Sequence, residues 1–253
     1  MLLSCERTGT ILRITLNRPG KRNAINRQMV EALTQALRGS IDEPDTRVAL
    51  IEGAGPDFCA GMDIAELAES VDAGVAEQLE SARALADVYR ALRGHPRPVI
   101  AAVRGRALGG GAGLAMACDV VLASESAQFG FPEVAIGFVP AIVMSLLRRS
   151  VGEKRAFDLL TSGKPVGARE ACEMGVITRV FADADFDASV QKYVSALAET
   201  SASALGMIKQ LFYSIDAMSF DAAIEAGVQI NAAARATEDA RRGFQRFGKK
   251  PST

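Results

Sequence analysis

The sequence predicts an α/β body followed by an all-helical tail. Up to residue 184, short apolar runs that read as strands alternate with segments whose apolar residues recur at helical spacing. From Asp185 to about Phe247 the helical spacing continues without a strand signal. The third observation is a junction. The apolar run Pro98–Val103 leads through Arg104–Leu108 into Gly109-Gly110-Gly111, which opens a helix of small residues.

The elements follow in order. Leu2–Arg7 and Thr10–Leu16 read as strands around a Thr8-Gly9 turn. Asn17–Asn23 is a polar loop. Asn26–Ile41 places Met29, Val30, Leu33, Leu37 and Ile41 on one helical face. Arg47–Glu52 is a strand that stops at Gly53-Ala54-Gly55-Pro56, and Val75–Arg93 is a helix. Val99–Val103 and Asp119–Ala123 are strands on either side of the helix after the glycine triplet. Ala141–Val151, Glu153–Thr161 and Gly167–Met174 are helices, and Gly175–Phe181 is one more strand.

A chain of 253 residues with 49% hydrophobic content can bury a substantial core, as one domain or as one domain with an appendage. The net charge of −1 offers no field for nucleic acid or for an acidic membrane. There is no 18-residue apolar run and no basic start followed by an apolar core, so neither a membrane span nor a leader is expected, and the expected location is cytoplasmic. Cys5, Cys59, Cys118 and Cys172 are far apart, in no metal-binding spacing, and read as reduced, mostly buried thiols. His95, in a loop beside Pro96, is the only histidine. A single histidine in a loop argues against a histidine triad and a multi-histidine metal site, and no metal is expected. Acid–base chemistry falls to carboxylates, Lys, Tyr or Cys.

Three segments carry the chemistry. At Gly109–Gly113 the missing side chains let the backbone approach another group closely, and the first N–H groups of a helix carry the positive end of its dipole. A phosphate loop would need Lys and a hydroxyl after the glycines, and here Leu114-Ala115 follow. The dinucleotide fingerprint fails on glycine spacing. An anionic oxygen and plain close packing of helix on sheet both remain, and the glycines alone favour packing. The second segment, Asp57–Ile64, follows a strand and holds Gly61. In the third, Glu133 is the one acidic residue within Ala127–Ile142. Apolar surroundings raise a carboxyl pKa and make a better base, but a first-turn carboxylate after Pro132 is the commoner arrangement, and the local sequence favours it.

Together with Asn17-Arg18-Pro19, Asn23-Ala24 and Gly175–Val180, these blocks resemble the crotonase family, the enoyl-CoA hydratase/isomerase superfamily, over nearly the whole chain. The resemblance implies a spiral of β-β-α units over residues 1–184, holding the CoA-binding and catalytic site. Residues 185–253 would form a helical trimerisation region in a homotrimer or homohexamer. It implies an acyl-CoA thioester as substrate, which brings the coenzyme A itself, so no separate cofactor is expected. The thioester oxygen would lie between the N–H groups of Met62 and Gly110, with Glu133 as acid and base. Ala24, Ala60, Met62, Asp63, Ile64, Ala65 and Gly110 would line the CoA. Arg18, Lys21, Arg22, Lys249 or Lys250 would meet its phosphates.

The chain departs from the family at one position. Typical hydratases carry a second glutamate three residues after the middle glycine of the triplet, and here that residue is Gly113. Hydration positions a water, which two carboxylates do comfortably, whereas moving a double bond needs one base. The expectation is an enoyl-CoA hydratase/isomerase-type enzyme of acyl-CoA metabolism. The alternatives are a single-glutamate isomerase and a non-catalytic binder of CoA thioesters. Retention of Glu133 favours an enzyme. Residue 113 is expected to face the catalytic side, so that Gly113→Glu would help hold a water.

Overall fold

The computed structural model describes residues 1–43 and 45–248. Lys249 and Lys250 lie outside the described residues. The first half contains β1 (Leu3–Thr8), β2 (Ile11–Leu16), α1 (Arg27–Ile41), β3 (Val48–Gly53), α2 (Ile64–Glu69), α3 (Val75–Gly94), β4 (Val99–Val103), β5 (Arg106–Leu108) and α4 (Gly110–Ala117). There follow β6 (Val120–Ser124), β7 (Gln128–Gly130), α5 (Ala141–Ser150), α6 (Glu153–Ser162), β8 (Val166–Gly167), α7 (Ala168–Met174) and β9 (Arg179–Phe181). The chain then runs through α8 (Phe186–Ala198), α9 (Ala202–Ser214), α10 (Phe220–Ala236) and α11 (Glu238–Gly248).

Six strands form one sheet in the order β1-β2-β3-β4-β6-β9, antiparallel between β1 and β2 and parallel elsewhere. A second sheet has the order β5-β7-β8, and a parallel bridge from Cys59 to Ala107 extends it at the β5 edge. The chain moves repeatedly from the large sheet to the small one and then into helix: β3 to the Cys59 segment, β4 to β5, and β6 to β7. This is the expected spiral of β-β-α units. Parallel strands covered on both faces need continuous apolar runs, and β4 is buried along its whole length. One face packs on α1, α3, α4 and α5, which contribute Leu33, Tyr89, Leu114 and Leu147 to the main core. On the other face Phe186, Val190 and Val194 of α8 meet Leu50, Ile100 and Leu122. The first helix past residue 184 is thus a layer on the large sheet, and α9–α11 extend beyond it.

Several elements differ from the sequence reading. The strand expected over Gly175–Phe181 shortens to β9, because Gly175 takes a left-handed conformation as the cap of α7. The two- and three-residue strands β5, β7 and β8 are too short to show a period, and the sequence reading missed them. The continuous helical tail divides where Ser201 and Ser219 cap new helices, each side chain accepting a backbone N–H. His95 is buried at the end of α3, hydrogen-bonded to Ser40 and Arg97, rather than lying in an open loop. Cys59 and Cys118 are buried as expected, but Cys5, on the edge strand β1, is exposed. No described helix is long and apolar enough to cross a membrane.

Candidate active site

The small sheet brings the three sequence segments together. Cys59, β5 and β7 are parallel neighbours, so the residues just past each lie side by side at one end of the sheet. These are Gly61-Met62, Gly109-Gly110 and Phe131–Glu133. The register is fixed by hydrogen bonds. Leu108 N–H donates to Cys59 O at 3.0 Å, and Gly109 N–H donates to Gly130 O at 2.8 Å.

Gly61 and Gly109 both have positive φ, +100° and +49°, where a side chain would be strained. Each also lies close to a neighbouring segment. A methyl built on Gly61 would meet Leu108 O at 2.9 Å, and one on Gly109 would meet Glu133 Oε1 at 2.5 Å. Plain packing explains Gly111, whose added methyl would strike Cys59. Close packing, one of the two readings the sequence allowed, thus accounts for Gly111, while Gly61 and Gly109 allow close approach of Leu108 O and Glu133.

Met62 and Gly110 present their N–H groups here. Ile25 N–H donates to Gly61 O, and Asp63 N–H donates to Ile25 O, so the intervening Met62 N–H points away from that pairing. Gly110 is the first residue of α4, where an N–H has no partner within the helix. Among the described residues neither N–H donates a hydrogen bond. Glu133 sits in the first turn of a short 3-10 helix, Pro132–Ile136, started by the proline. Its Oε2 is buried, with no hydrogen-bond partner among the described residues. Burial raises its pKa above the ordinary carboxyl value.

The other predicted lining residues form a strip beside these groups. The Arg18–Ala24 loop lies along Ala60–Asp63, with Ala60 N–H donating to Arg22 O at 3.0 Å. Buried Asn23 stitches this loop, donating to the carbonyls of Ala54 and Asp57. Asp63 is already occupied: it caps α2 through Ala65 N–H and pairs with Arg18 at 2.9 Å. Ile64 is 59% exposed and Ala65 is exposed. Arg18, held by Asp63 and by Ala24 O, is committed to the protein, whereas Lys21 and Arg22 are exposed.

A family model described as enoyl-CoA hydratase/isomerase matches residues 6–252. The chain belongs to the enoyl-CoA hydratase/isomerase family. It is an enzyme of that family. It is 34% identical to the 2,3-dehydroadipyl-CoA hydratase of Escherichia coli, over 98% of this chain and 96% of that one. It is 37% identical to the enoyl-CoA isomerase/hydratase fer4 of Mycosarcoma maydis, over 70% and 67% of the two. The crystal structure of an enoyl-CoA hydratase from Mycobacterium smegmatis superposes with a TM-score of 0.92, at 29% identity over 98% of this chain and 96% of that one.

Residue 113 faces Tyr89, whose hydroxyl donates to Gly110 O, but a side chain there has little room. A methyl on Gly113 would lie 2.5 Å from the Tyr89 hydroxyl oxygen and 2.7 Å from Val143 Cγ2. The space a side chain would need is filled. Sequence reasoning missed Tyr89, because Leu85, Val88, Tyr89 and Leu92 make an ordinary apolar stripe on α3. Its only local signal is a hydroxyl among buried hydrocarbons, which asks for a partner.

Proposed function

We propose that the chain acts on enoyl-CoA thioesters by moving a proton through Glu133, the negative thioester oxygen being held by the N–H groups of Met62 and Gly110. One observation carries this reading. The buried, unpartnered Oε2 of Glu133 stands beside Gly109, next to two N–H groups that donate to nothing among the described residues. An ionised carboxylate takes the proton from the carbon beside the thioester, and the electron pair moves onto the thioester oxygen. Two fixed donors, one at a helix start, stabilise that enolate; removing one such donor costs about 3–4 kcal/mol. Glu133, now protonated, returns the proton further along the acyl chain and shifts the double bond. The strip from Ala60 to Ala65, with Ala24, would carry the CoA, and Lys21 and Arg22 would meet its phosphates.

A second reading is hydration of a 2-enoyl-CoA, the activity named for the Escherichia coli relative. Against it stands the lack of a carboxylate at Gly113 and the filling of that place by Tyr89. The deciding experiment compares matched 2-enoyl-CoA and 3-enoyl-CoA thioesters. Conversion of 3-enoyl-CoA faster than hydration of 2-enoyl-CoA supports double-bond migration, and the reverse order supports hydration. No turnover of either, with binding retained, would leave a CoA-thioester binder. For the assembly we propose a homotrimer or a pair of trimers, because Phe212, Phe220, Ile224 and Val228 leave apolar surface uncovered on α9 and α10.

A further inference from the structure

Tyr89 is almost wholly buried, and its hydroxyl donates a 2.7 Å hydrogen bond to Gly110 O. Phenylalanine would satisfy the apolar stripe of α3 equally well, so the hydroxyl has a task that packing does not explain. It reaches the first residue of α4, whose N–H faces the site. A methyl on Gly110 would lie 3.7 Å from the Tyr89 oxygen and 3.5 Å from Met62 Cγ and Sδ. Tyr89 and Met62 thus close over Gly110 from two directions. The same ring stands where a side chain on residue 113 would begin, with Cζ 2.8 Å from the added methyl. With Tyr89 and Val143 in these positions, a side chain on residue 113 could enter only if they moved.

We propose that Tyr89 is a positioning residue of this site: its hydroxyl fixes the first turn of α4 that presents the Gly110 N–H, and its ring closes the position a second carboxylate would need. The site then works with Glu133 as its one proton carrier. A phenol is suited to the task, because burial and the nearby Glu133 keep it neutral and therefore a donor at all ordinary pH values. A carboxylate in the same place would ionise or compete with Glu133 for the proton. This inference rests on the reading of Met62 and Gly110 as the thioester-oxygen donors.

The test is Tyr89→Phe, which keeps the ring and removes only the bond. With the enoyl-CoA that the wild type turns over, kcat is expected to fall about tenfold, the scale of one hydrogen bond, with KM within about threefold. A kcat within twofold of wild type overturns the positioning role. A second readout does not depend on turnover. A 3-oxoacyl-CoA ionises to an enolate that absorbs in the near ultraviolet, and donors at the thioester oxygen favour that form. Its enolate-to-keto ratio on the enzyme is expected to be about tenfold lower in Tyr89→Phe, and an unchanged ratio overturns the proposal. If the wild type turns over neither enoyl-CoA, the functional reading fails, while the enolate ratio still decides the role of Tyr89. Closure of position 113 is tested by Gly113→Glu, expected to lose activity by at least tenfold or to fold poorly. A soluble Gly113→Glu protein that hydrates 2-enoyl-CoA faster than wild type overturns the closure.

Discussion

Helices α4 and α10 are both rich in small and apolar residues, yet α4 buries every residue and α10 buries none. The difference lies in what surrounds them. α4 is enclosed by the Cys59 segment, Tyr89 and Val143, so that methyl groups built on Gly111 or Gly113 would collide. α10 carries Phe220, Ile224 and Val228 four residues apart, 79%, 55% and 56% exposed. That apolar stripe has no cover among the described residues. The amino-acid composition of a helix thus says little about its burial; the neighbours decide. α4 belongs to a finished core, whereas α10 presents an exposed apolar face.

The largest effect is expected on the α4 side. Glu133→Gln should lower kcat about a thousandfold, within the range for a general acid–base group, with thioester affinity changed only a few-fold. Steady-state kinetics beside binding by calorimetry check this, and a variant retaining most of its kcat would remove Glu133 from the mechanism. The assembly mass should not change, because Glu133 is on the finished side of the comparison.

Between the two regions stands Lys209, the one buried residue of α9. Its ammonium pairs with Asp119 at 2.7 Å and donates to Leu92 O and Arg97 O. Asp119 also accepts from Tyr213 Oη and Val99 N–H, so one carboxylate joins α9 to the sheet. Lys209→Met leaves that half-buried carboxylate without its cation, and the expected loss is about 3 kcal/mol, the lower end for breaking a buried pair. Denaturant unfolding gives the loss, and limited proteolysis should show α9–α11 released first. Simultaneous cleavage throughout the core would mean that the two regions unfold as one.

Phe220→Asp with Val228→Asp attacks the uncovered stripe alone. By light scattering at micromolar concentration, the wild type is expected at three or six times the 26.7 kDa chain mass, and the variant at a lower multiple. A wild-type mass near that of one chain would mean that the stripe has another use.

The smallest effect is a stability change with a definite sign. Burial raises the folded-state pKa of Glu133, so its ionised form is disfavoured by folding. Glu133→Gln should therefore raise the melting temperature at neutral pH. The gain should shrink as pH falls through the raised pKa and vanish below the ordinary glutamate value, where the carboxyl is protonated in both states. A gain that persists in acid would come from packing instead of charge. Catalysis follows the opposite course: activity that needs the carboxylate is lost over the same fall in pH.

Local patterns along the chain determined much of this protein. Helical spacing marked α1 and α3, and unbroken apolar runs marked β3 and β4. These were legible because each depends on neighbours within a turn or two of helix or strand. The glycine triplet was legible only as a choice between packing and an anion site, since glycine has no side chain to show which way it serves. Tertiary structure placed Gly61-Met62, Gly109-Gly110 and Glu133 side by side through the parallel register of Cys59, β5 and β7, strands too short to carry a signal. It also decided the fate of position 113. Tyr89 lies 21 residues before Gly110 on another helix, and no spacing rule joins them. Only when α3 packs across α4 does the phenol find Gly110 O and fill the space beside Gly113, because that contact is made by the shape of two helices and not by the order of residues in either.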